Sequence, residues 1–442
     1  MGEQFDKAIS LNELCKASKR TAKGVGHKQA VMLWKIERLE RCEKLKYSIT
    51  SGRHRTGHGV PFKIYEPKER LILPPLYCDR VWQNDMCYNG VYDDMTTSLI
   101  YDSGACQKEK GTEFAILRMT AALEKYCRKY GDNNGIAKHL DIKSYFPSTP
   151  NSVAIDVIER YCKDEKIVPF LVDVFNSFID SRDPDTIAAD PFGKRGTGLG
   201  SPVSQLIQLA ILDDLDHKLT GDKDLFTVHR TMDDIVIIAR DKDAVRRAEE
   251  TVKSYLAERG LICTDKGGNN KLSKGFYFLK KKFILTKTGK VLVIPMRQKF
   301  EKERRVLRKQ KRDLDAGLTD MDTIMNKYEC FISTMLICDC TKQIKKMDSF
   351  FASLFGTKPI YKCKRKSRRK NAMTEHINKN RRLRELEAEN ERLKAENTEM
   401  RQRIEMINGD NAFMAMCLGV DLEQDDLPED DAPFDVSGGD AE

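Results

Sequence analysis

The 442-residue sequence contains no apolar run long enough to cross a lipid bilayer. Its N-terminus also lacks the hydrophobic segment of a secretory signal peptide. These two absences predict a soluble protein that stays in the cytoplasm. The chain length predicts two or three domains, since one hydrophobic core rarely organises more than about 250–300 residues.

Cysteine pairs with the C-x₂-C spacing are missing too. The 13 cysteines are odd in number and scattered, and none of them forms a C-x₂-C pair. This pattern argues against a disulfide framework and favours reduced thiols. It also disfavours structural zinc, which is usually held by such pairs. Zinc is disfavoured also at the group Cys330, Cys338, Cys340 and Cys363, which contains no such pair.

Lysine and arginine are absent from residues 410–442, which carry eleven acidic residues. Because the whole chain has a net charge of +9, residues 1–409 carry +20. A body this basic is expected to bind a polyanion such as nucleic acid. The acidic tail, residues 409–442, has few apolar residues and is expected to be disordered.

Two acidic sequences stand next to strand-forming residues. Asp233 and Asp234 precede the apolar run 235–239, which indicates a β-hairpin with both carboxylates at its turn. Asp141 ends another predicted strand and is followed by Tyr145 and Phe146. Two such sites suit a pair of Mg²⁺ ions, which prefer oxygen ligands and serve phosphoryl transfer.

The order and spacing of five motifs resemble those of bacterial reverse transcriptases, the group that includes group II intron, retron, diversity-generating and defence-associated enzymes. The residues at 141–146, 200–204 and 231–234 resemble the family's motifs A, B and C, those at 275–279 its primer grip, and those at 110–112 a fingers motif. The resemblance covers about residues 50–285 and implies a two-metal RNA-directed DNA polymerase.

The resemblance also implies roles for individual residues. Asp141, Asp233 and Asp234 would hold two Mg²⁺ ions, with Mn²⁺ as a substitute, and Ile142 is a further metal-contacting position. Lys266 would protonate the departing pyrophosphate. The predicted nucleotide-binding residues are Lys68, Arg70, Lys110, Tyr145, Phe146, Gly200 and Ser201, and the predicted primer-grip residues are Phe278 and Leu279.

Phe146 occupies the position where, in this family, an aromatic ring excludes the 2′-OH of a ribonucleotide. Two other positions depart from the family pattern. Leu199 stands where a glutamine usually helps to seat the nucleotide, and Thr231 stands where an aromatic residue usually begins motif C. Neither departure removes a metal ligand, but both are expected to affect fidelity or nucleotide preference.

The expected fold class is α+β, a right-hand polymerase with fingers, palm and helical thumb, followed by a coiled coil and an acidic tail. The expected segments are a helical extension (1–50), fingers and palm (51–295), thumb (296–356), basic linker (357–375), coiled coil (376–408) and tail (409–442). Within the palm, residues 276–283 and 291–294 are expected to pair as two strands.

The expected partners are an RNA template, which could be a dedicated non-coding RNA, the DNA product and dNTPs. No endonuclease or RNase H pattern is visible, which favours a defence-associated or accessory enzyme over a mobile intron protein. Two alternatives stay open. One is a catalytically retired scaffold that binds nucleic acid, and the other is a template-independent or protein-primed nucleotidyltransferase.

Residues 376–408 carry a heptad pattern whose seam includes Leu386, Asn390, Leu393 and Asn397. Asparagine at successive a positions favours a parallel, two-stranded coil, and the flanking charges would pair with opposite signs across such a dimer. The protein is therefore expected to form a homo-oligomer through this segment. The alternative is a single helix that folds back on the thumb.

The heptad pattern can be tested by replacing Leu386 and Leu393 with glutamate. Charges at d positions should abolish the dimer, whereas truncation after Gly409 should leave it intact. Sedimentation equilibrium of the full chain and both variants measures the mass. A monomeric full-length chain would contradict the coiled-coil interpretation.

Overall fold

The structure is a computed structural model, and it describes residues 2–65 and 69–361 together with the single positions 392 and 398. The chain divides into two compact units, Met1–Arg365 and Lys366–Glu442. The expected coiled coil at 376–408, with Leu386, Asn390, Leu393 and Asn397, lies outside the described residues, as do the acidic tail and Lys68.

The N-terminal extension contains four helices, which agrees with the expected helical segment 1–50. They are α1 (Glu3–Ala8), α2 (Leu11–Thr21), α3 (Gln29–Ile36) and α4 (Arg38–Thr50). Ser10 caps α2 by accepting a hydrogen bond from the Glu13 amide at 3.4 Å. Leu14 and Ala17 of α2 are fully buried in the main core, so the extension is part of the first unit.

A short hairpin follows, formed by β1 (Phe62–Ile64) and β2 (Arg70–Ile72) with Phe62 paired to Ile72. Alternating residues from Phe62 to Leu73 predict a hairpin in this segment, and the paired strands confirm it. The chain then forms α5 (Tyr77–Asp85), a π-helical segment (Met86–Val91), α6 (Tyr92–Thr96) and the long helix α7 (Thr112–Tyr130).

A four-stranded antiparallel sheet lies at the centre of the unit. Its strands are β3 (Ile136–Ile142), β4 (Leu225–Thr231), β5 (Asp234–Ala239) and β6 (Cys263–Lys271), in the order β4-β5-β3-β6. The helices between β3 and β4 are α8 (Tyr145–Ser148), α9 (Asn151–Tyr161), α10 (Val168–Ser177), α11 (Pro184–Ala189), α12 (Pro202–Ala210) and α13 (Asp213–Thr220). Helix α14 (Lys242–Ala257) joins β5 to β6.

Both faces of this sheet are covered. Successive side chains of a strand point to opposite faces, so Ile235 and Ile237 enter the main core while Val236 and Ile238 enter a second core. The second core includes α7 and a three-stranded sheet of β7 (Phe276–Phe278), β8 (Lys281–Leu285) and β9 (Val291–Pro295). The run of five apolar residues after Asp234 therefore reflects burial on both sides.

The expected continuous strand 276–283 is interrupted, which corrects the sequence prediction. A two-residue turn at Leu279 and Lys280 separates β7 from β8, with Phe278 paired to Lys281. Both turn residues have left-handed backbone angles, φ 49° and 59°. Such turns normally carry glycine or asparagine, so this sequence has no turn signal here.

Three helices follow the small sheet: α15 (Arg297–Asp315), α16 (Met321–Met335) and α17 (Thr341–Phe355). They enclose a core of their own that includes Leu307, Tyr328 and Phe351. The outer face of α15 is strongly basic, with exposed Lys302, Arg305, Arg308, Lys309 and Arg312. The predicted helical region is therefore present, with three separate helices. No helix among the described residues is long and apolar enough to cross a membrane.

Glu303 of α15 provides a test of this helical core. Burial raises the pKa of its carboxyl to about 7. A folded-state pKa above the unfolded value means that stability falls as pH rises from about 4.5 to 7 and then stays low. The free energy of unfolding of Glu303→Gln, relative to that of the wild type, should therefore rise by roughly 1–3 kcal/mol from pH 5 to pH 8.

Melting temperatures of wild type and variant at both pH values measure this difference. Glu301→Gln on the same helix is the control, because Glu301 is 44% exposed and pairs with Arg297, one turn earlier, at 2.9 Å. If the melting temperatures of Glu303→Gln and Glu301→Gln depended equally on pH, the raised pKa of Glu303 would be contradicted.

Candidate active site

Three carboxylates meet at one end of the central sheet. Leu140 of β3 pairs with Ile235 of β5, and one further step of this register brings Asp141 opposite Asp234. Asp141 and Asp234 lie on the face of the sheet that carries Val236 and Ile238, just past the end of the second core. Asp233 stands in the adjoining β4–β5 turn. The structure thus brings together the two acidic sequences that lie about ninety residues apart.

The turn between β4 and β5 has only two residues, Met232 and Asp233, because Thr231 pairs with Asp234. Met232 has φ 60°, a left-handed conformation that is costly for a residue with a side chain. The turn keeps this conformation because its surroundings hold it. The Met232 side chain packs against buried Leu99, Ala105 and Leu209.

Arg230 is the main support of the turn. Its guanidinium is fully buried and donates to Asp216 at 2.6 Å, to the Leu209 carbonyl at 3.0 Å and to the Met232 carbonyl at 3.3 Å. A buried arginine is stable only when paired in this way. Arg230 and Asp216 were not singled out from the sequence, where one more arginine in a basic chain carries no signal.

Lys266 reaches the carboxylates because β6 is irregular beside β3. Lys138 pairs with Asn269 and Leu140 with Asp265, so residues 266–268 bulge out of the ladder. The bulge directs Lys266 to the site, where its Nζ lies 2.7 Å from Asp141 Oδ1 and 2.7 Å from Asp234 Oδ1. A β-bulge is a common means of redirecting a side chain near an active site.

The bulge is closed by Asp265. One of its oxygens accepts from the amides of Gly267 and Gly268 at 3.0 and 2.8 Å. The other accepts from Lys138 at 2.7 Å, and Lys138 also pairs with Glu249 of α14 at 2.7 Å. Sequence reasoning missed this triad, although a lysine inside an otherwise apolar strand is a signal that it has a buried partner.

The three carboxyl groups differ in their electrostatic surroundings. Burial, together with the charges of Asp234 and Asp141, raises the pKa of Asp233 to about 6. Burial would also raise the pKa of Asp234, but hydrogen bonds from His139 and Lys266 outweigh it and hold that pKa below its ordinary value. The acids therefore repel one another, and a cation lowers the energy of the group.

The donor atoms suit a divalent ion. Within the described part of the chain, no three or more His, Cys, Asp or Glu side chains are close enough to enclose a metal by themselves. Mg²⁺ is commonly held by one or two carboxylates, with water and substrate phosphates completing its shell. Asp141 Oδ1 is buried and its contact with Lys266 is an ion pair without hydrogen-bond alignment, so it can accept such an ion. The oxygen ligands therefore fit Mg²⁺.

Tyr145 and Phe146 lie on α8, directly after β3. Tyr145 is 2% exposed and donates to the Gln208 carbonyl at 2.7 Å, which gives it a structural contact. Phe146 is half-buried, and its carbonyl accepts from the Thr197 amide at 3.0 Å. This bond connects the segment after Asp141 to the glycine-rich turn before α12.

The glycine-rich turn combines close packing with exposed backbone. Gly198 has φ 68°, and a side chain there would overlap the ring of Phe178. Gly200 has φ 117° and is exposed, so its backbone is open to a ligand. Ser201 caps α12 and donates to Gln83 at 3.0 Å, so its hydroxyl already has a structural role.

The predicted basic nucleotide-binding residues are placed differently from one another. Arg70 is exposed on β2, opposite Ile64. Lys110 donates to the Tyr101 carbonyl at 3.1 Å, and burial lowers the pKa of its amine to about 8. The structure therefore gives Lys110 a local partner and leaves its contact with a triphosphate as a prediction.

The predicted primer-grip residues lie in the small sheet, where Phe278 contacts His139 and Leu279 packs against the second core. Phe278 is fully buried, and its ring meets that of His139 at 6.2 Å in an edge-to-face arrangement. Leu279 occupies the first position of the strained β7–β8 turn and packs against the second core. Ile142 is also buried, and its backbone is paired with Cys263.

The solved structures to which this chain is distantly similar include two telomerases. No protein-family model matches the chain, and no curated protein matches its sequence. Apo telomerase from Candida tropicalis, truncated from its C-terminal domain, aligns over 57% of this chain with 12% identity and a TM-score of 0.36. Telomerase from Candida albicans in complex with a TWJ fragment of telomeric RNA aligns over 74% with 10% identity and a TM-score of 0.37.

The chain spans about 60% of the length of each telomerase, since the aligned parts cover 59% and 60% of those chains. Both TM-scores and both identities are low. The proposed function therefore depends on the geometry of the carboxylate site and not on these two structures.

The support of the turn can be tested at Asp216. Asp216→Ala should lower the free energy of unfolding by about 3–5 kcal/mol, because it leaves the Arg230 charge buried and unpaired. The double variant Asp216→Leu with Arg230→Met should recover most of this loss. Urea denaturation of the full chain measures both effects.

Asp214→Ala on the same helix is the matched control. Asp214 pairs with Arg160 at the surface, where the two side chains are 40% and 60% exposed. Its loss should cost less than about 1 kcal/mol. Similar costs at Asp214 and Asp216 would show that Arg230 does not depend on its buried partner.

Proposed function

We propose that the protein is an RNA-directed DNA polymerase. The observation that carries the proposal is the meeting of Asp141, Asp233 and Asp234 at one end of the central sheet, with Lys266 in contact with two of them. A binding scaffold gains nothing from three mutually repelling acids in a body of charge +20. A polymerase requires them to hold the cations that assist phosphoryl transfer.

The reaction is attack of the primer 3′-OH on the α-phosphate of a dNTP, with pyrophosphate as the leaving group. When bound at Asp141, Asp233 and Asp234, Mg²⁺ supplies charge stabilisation and activates the attacking oxygen. The 3′-OH loses its proton to solvent water as the new P–O bond forms, and the bond between the α-phosphorus and the bridging oxygen of the pyrophosphate breaks. The protein orients both reactants in line, which accounts for much of the rate.

Lys266 neutralises charge and donates a proton in this scheme. Its ammonium contacts Asp141 and Asp234, and the opposing effects of burial and these carboxylates leave its pKa raised. It is therefore protonated at neutral pH and can give a proton to the departing pyrophosphate. The closed bulge at Asp265 keeps Lys266 near the reacting phosphates.

Phe146 selects the sugar. Its ring lies on the segment that follows Asp141, and its carbonyl is tied to Thr197 of the glycine-rich turn. This bond ties the backbone of the segment after Asp141 to the turn that carries Gly200. Leu199 is half-buried in the same turn. It replaces the polar contact of the family's glutamine with an apolar one, so the nucleotide is held less specifically.

The basic outer face of α15 supports a nucleic-acid partner. Its exposed lysines and arginines can neutralise several phosphates along a duplex, and such binding weakens with added salt. The template in this proposal is RNA and the product DNA. A bacterial accessory or antiphage-defence role completes the proposal and depends on the motif resemblance alone.

The proposal is tested by Asp141→Ala and Asp233→Ala in primer extension on RNA with dNTPs and Mg²⁺. Each variant should lose about 10³-fold or more in rate, because it removes metal-mediated charge stabilisation. Asp233→Ala should keep or raise the melting temperature, since it relieves a repulsion that raises the pKa of Asp233.

Asp224→Ala is the control, because Asp224 is 62% exposed and pairs with Arg247 away from the carboxylates. Its rate should match that of the wild type. Undiminished synthesis by both site variants would refute the proposal. Synthesis that continues without a template would favour the template-independent alternative.

Phe146→Ala tests the selection of the sugar. Removal of the ring should admit ribonucleotides and raise the ratio of rNTP to dNTP incorporation efficiency by about tenfold or more, the size expected for one steric contact. The ratio of kcat/KM values for one matched rNTP and dNTP pair measures it. An unchanged ratio would mean that Phe146 serves only as packing.

A further inference from the structure

We infer that His139 is a positioning residue that holds one oxygen of Asp234 so that the other oxygen is presented to a divalent cation. The inference rests on the proposed function and adds a residue to which the sequence assigned no role. His139 lies two positions before Asp141 on β3 and so shares its face of the sheet.

The imidazole is 7% exposed, and its Nε2 lies 3.0 Å from Asp234 Oδ1. Lys266 donates to the same oxygen at 2.7 Å. Among the described residues, no hydrogen bond reaches Asp234 Oδ2. The two donors therefore engage one side of the carboxylate and leave its second oxygen available to a ligand from outside the chain.

The direction of the imidazole is set from two sides. The backbone of His139 pairs with Val236 of β5 on one edge of its strand. On the other edge it lies beside the bulge at residues 266–268 and is paired with no residue of β6. The imidazole also meets the ring of Phe278, at 6.2 Å and 87°. The imidazole thus contacts both an aromatic ring and a carboxylate.

Phe278 is itself immobilised. It is fully buried in the second core, where its ring also packs against Phe283 at 6.3 Å. The strained turn at Leu279 and Lys280 follows directly and fixes the end of β7. The small sheet therefore holds Phe278, Phe278 packs against His139, and His139 bonds to Asp234. Through these contacts the small sheet helps to arrange the site.

A buried histidine that only fills space would behave differently. Any replacement would then lower stability without a specific effect on the cation. A positioning histidine has one property that another residue can supply, the N–H donor at the place of Nε2. Glutamine can place its amide nitrogen there, whereas leucine fills a similar volume without a donor.

The experiment compares wild type, His139→Gln and His139→Leu as full-length chains without nucleic acid. Titration with Mn²⁺, followed by the electron paramagnetic resonance signal of the free ion, gives the affinity. The acidic tail can bind Mn²⁺ too, so Asp234→Asn identifies the share of binding that belongs to this site. His217→Leu is the matched control, since that side chain is 55% exposed and bonds to the Ser98 carbonyl at 2.7 Å.

His139→Leu should weaken the Asp234-dependent binding of Mn²⁺ by about tenfold or more, the usual effect of losing a partner of a metal ligand. His139→Gln should stay within about threefold of the wild type, although both lose some melting temperature. His217→Leu should bind as the wild type does. The Mg²⁺ concentration for half-maximal primer extension should follow the same order.

Unaltered Mn²⁺ affinity in His139→Leu would overturn the inference. So would equal weakening by glutamine and leucine, or wild-type binding that does not depend on Asp234. Failure of the proposed function is distinguishable. A wild type that binds Mn²⁺ through Asp234 but makes no DNA refutes the polymerase and leaves the role of His139 intact.

Discussion

Mutual repulsion of Asp141, Asp233 and Asp234 is the constraint on which the rest of the site depends. Separate strands bring these charges together, and the ionised form of Asp233 would be more stable in water. Burial and neighbouring charge raise the pKa of Asp233 to about 6, which shows the cost of the arrangement. The opposing force comes from cations and donors placed around them, chiefly Lys266 and the hydrogen bond from His139.

Strain accompanies this electrostatic cost. Residues with left-handed backbone angles occur three positions after Asp141, in the turn before Asp234 and beside Phe278, at Ser144, Met232 and Leu279. None of them is glycine, so each position is kept only because its surroundings determine it. Two large apolar cores, one on each face of the sheet, supply that rigidity.

Buried ion pairs secure the segments that carry the site. Arg230 with Asp216 holds the β4–β5 turn from behind the sheet. Lys138 with Asp265 closes the bulge that presents Lys266. Both pairs lie on the face of the sheet opposite to the carboxylates. Lys138 and Asp265 directly precede His139 and Lys266 in the chain, which is how one strand can serve packing and chemistry together.

The sequence by itself determined the hairpin at Asp233, the strand that ends at Asp141, the helical region after the palm and the set of acids, because periodicity and spacing are local properties. The tertiary structure decided the strand order, the bulge that delivers Lys266 and the partners of Arg230, Lys138 and His139. It also broke the expected strand 276–283 at a turn without glycine. These features depend on which buried charges find partners and which strained angles the cores support, and such contacts join residues far apart in the chain.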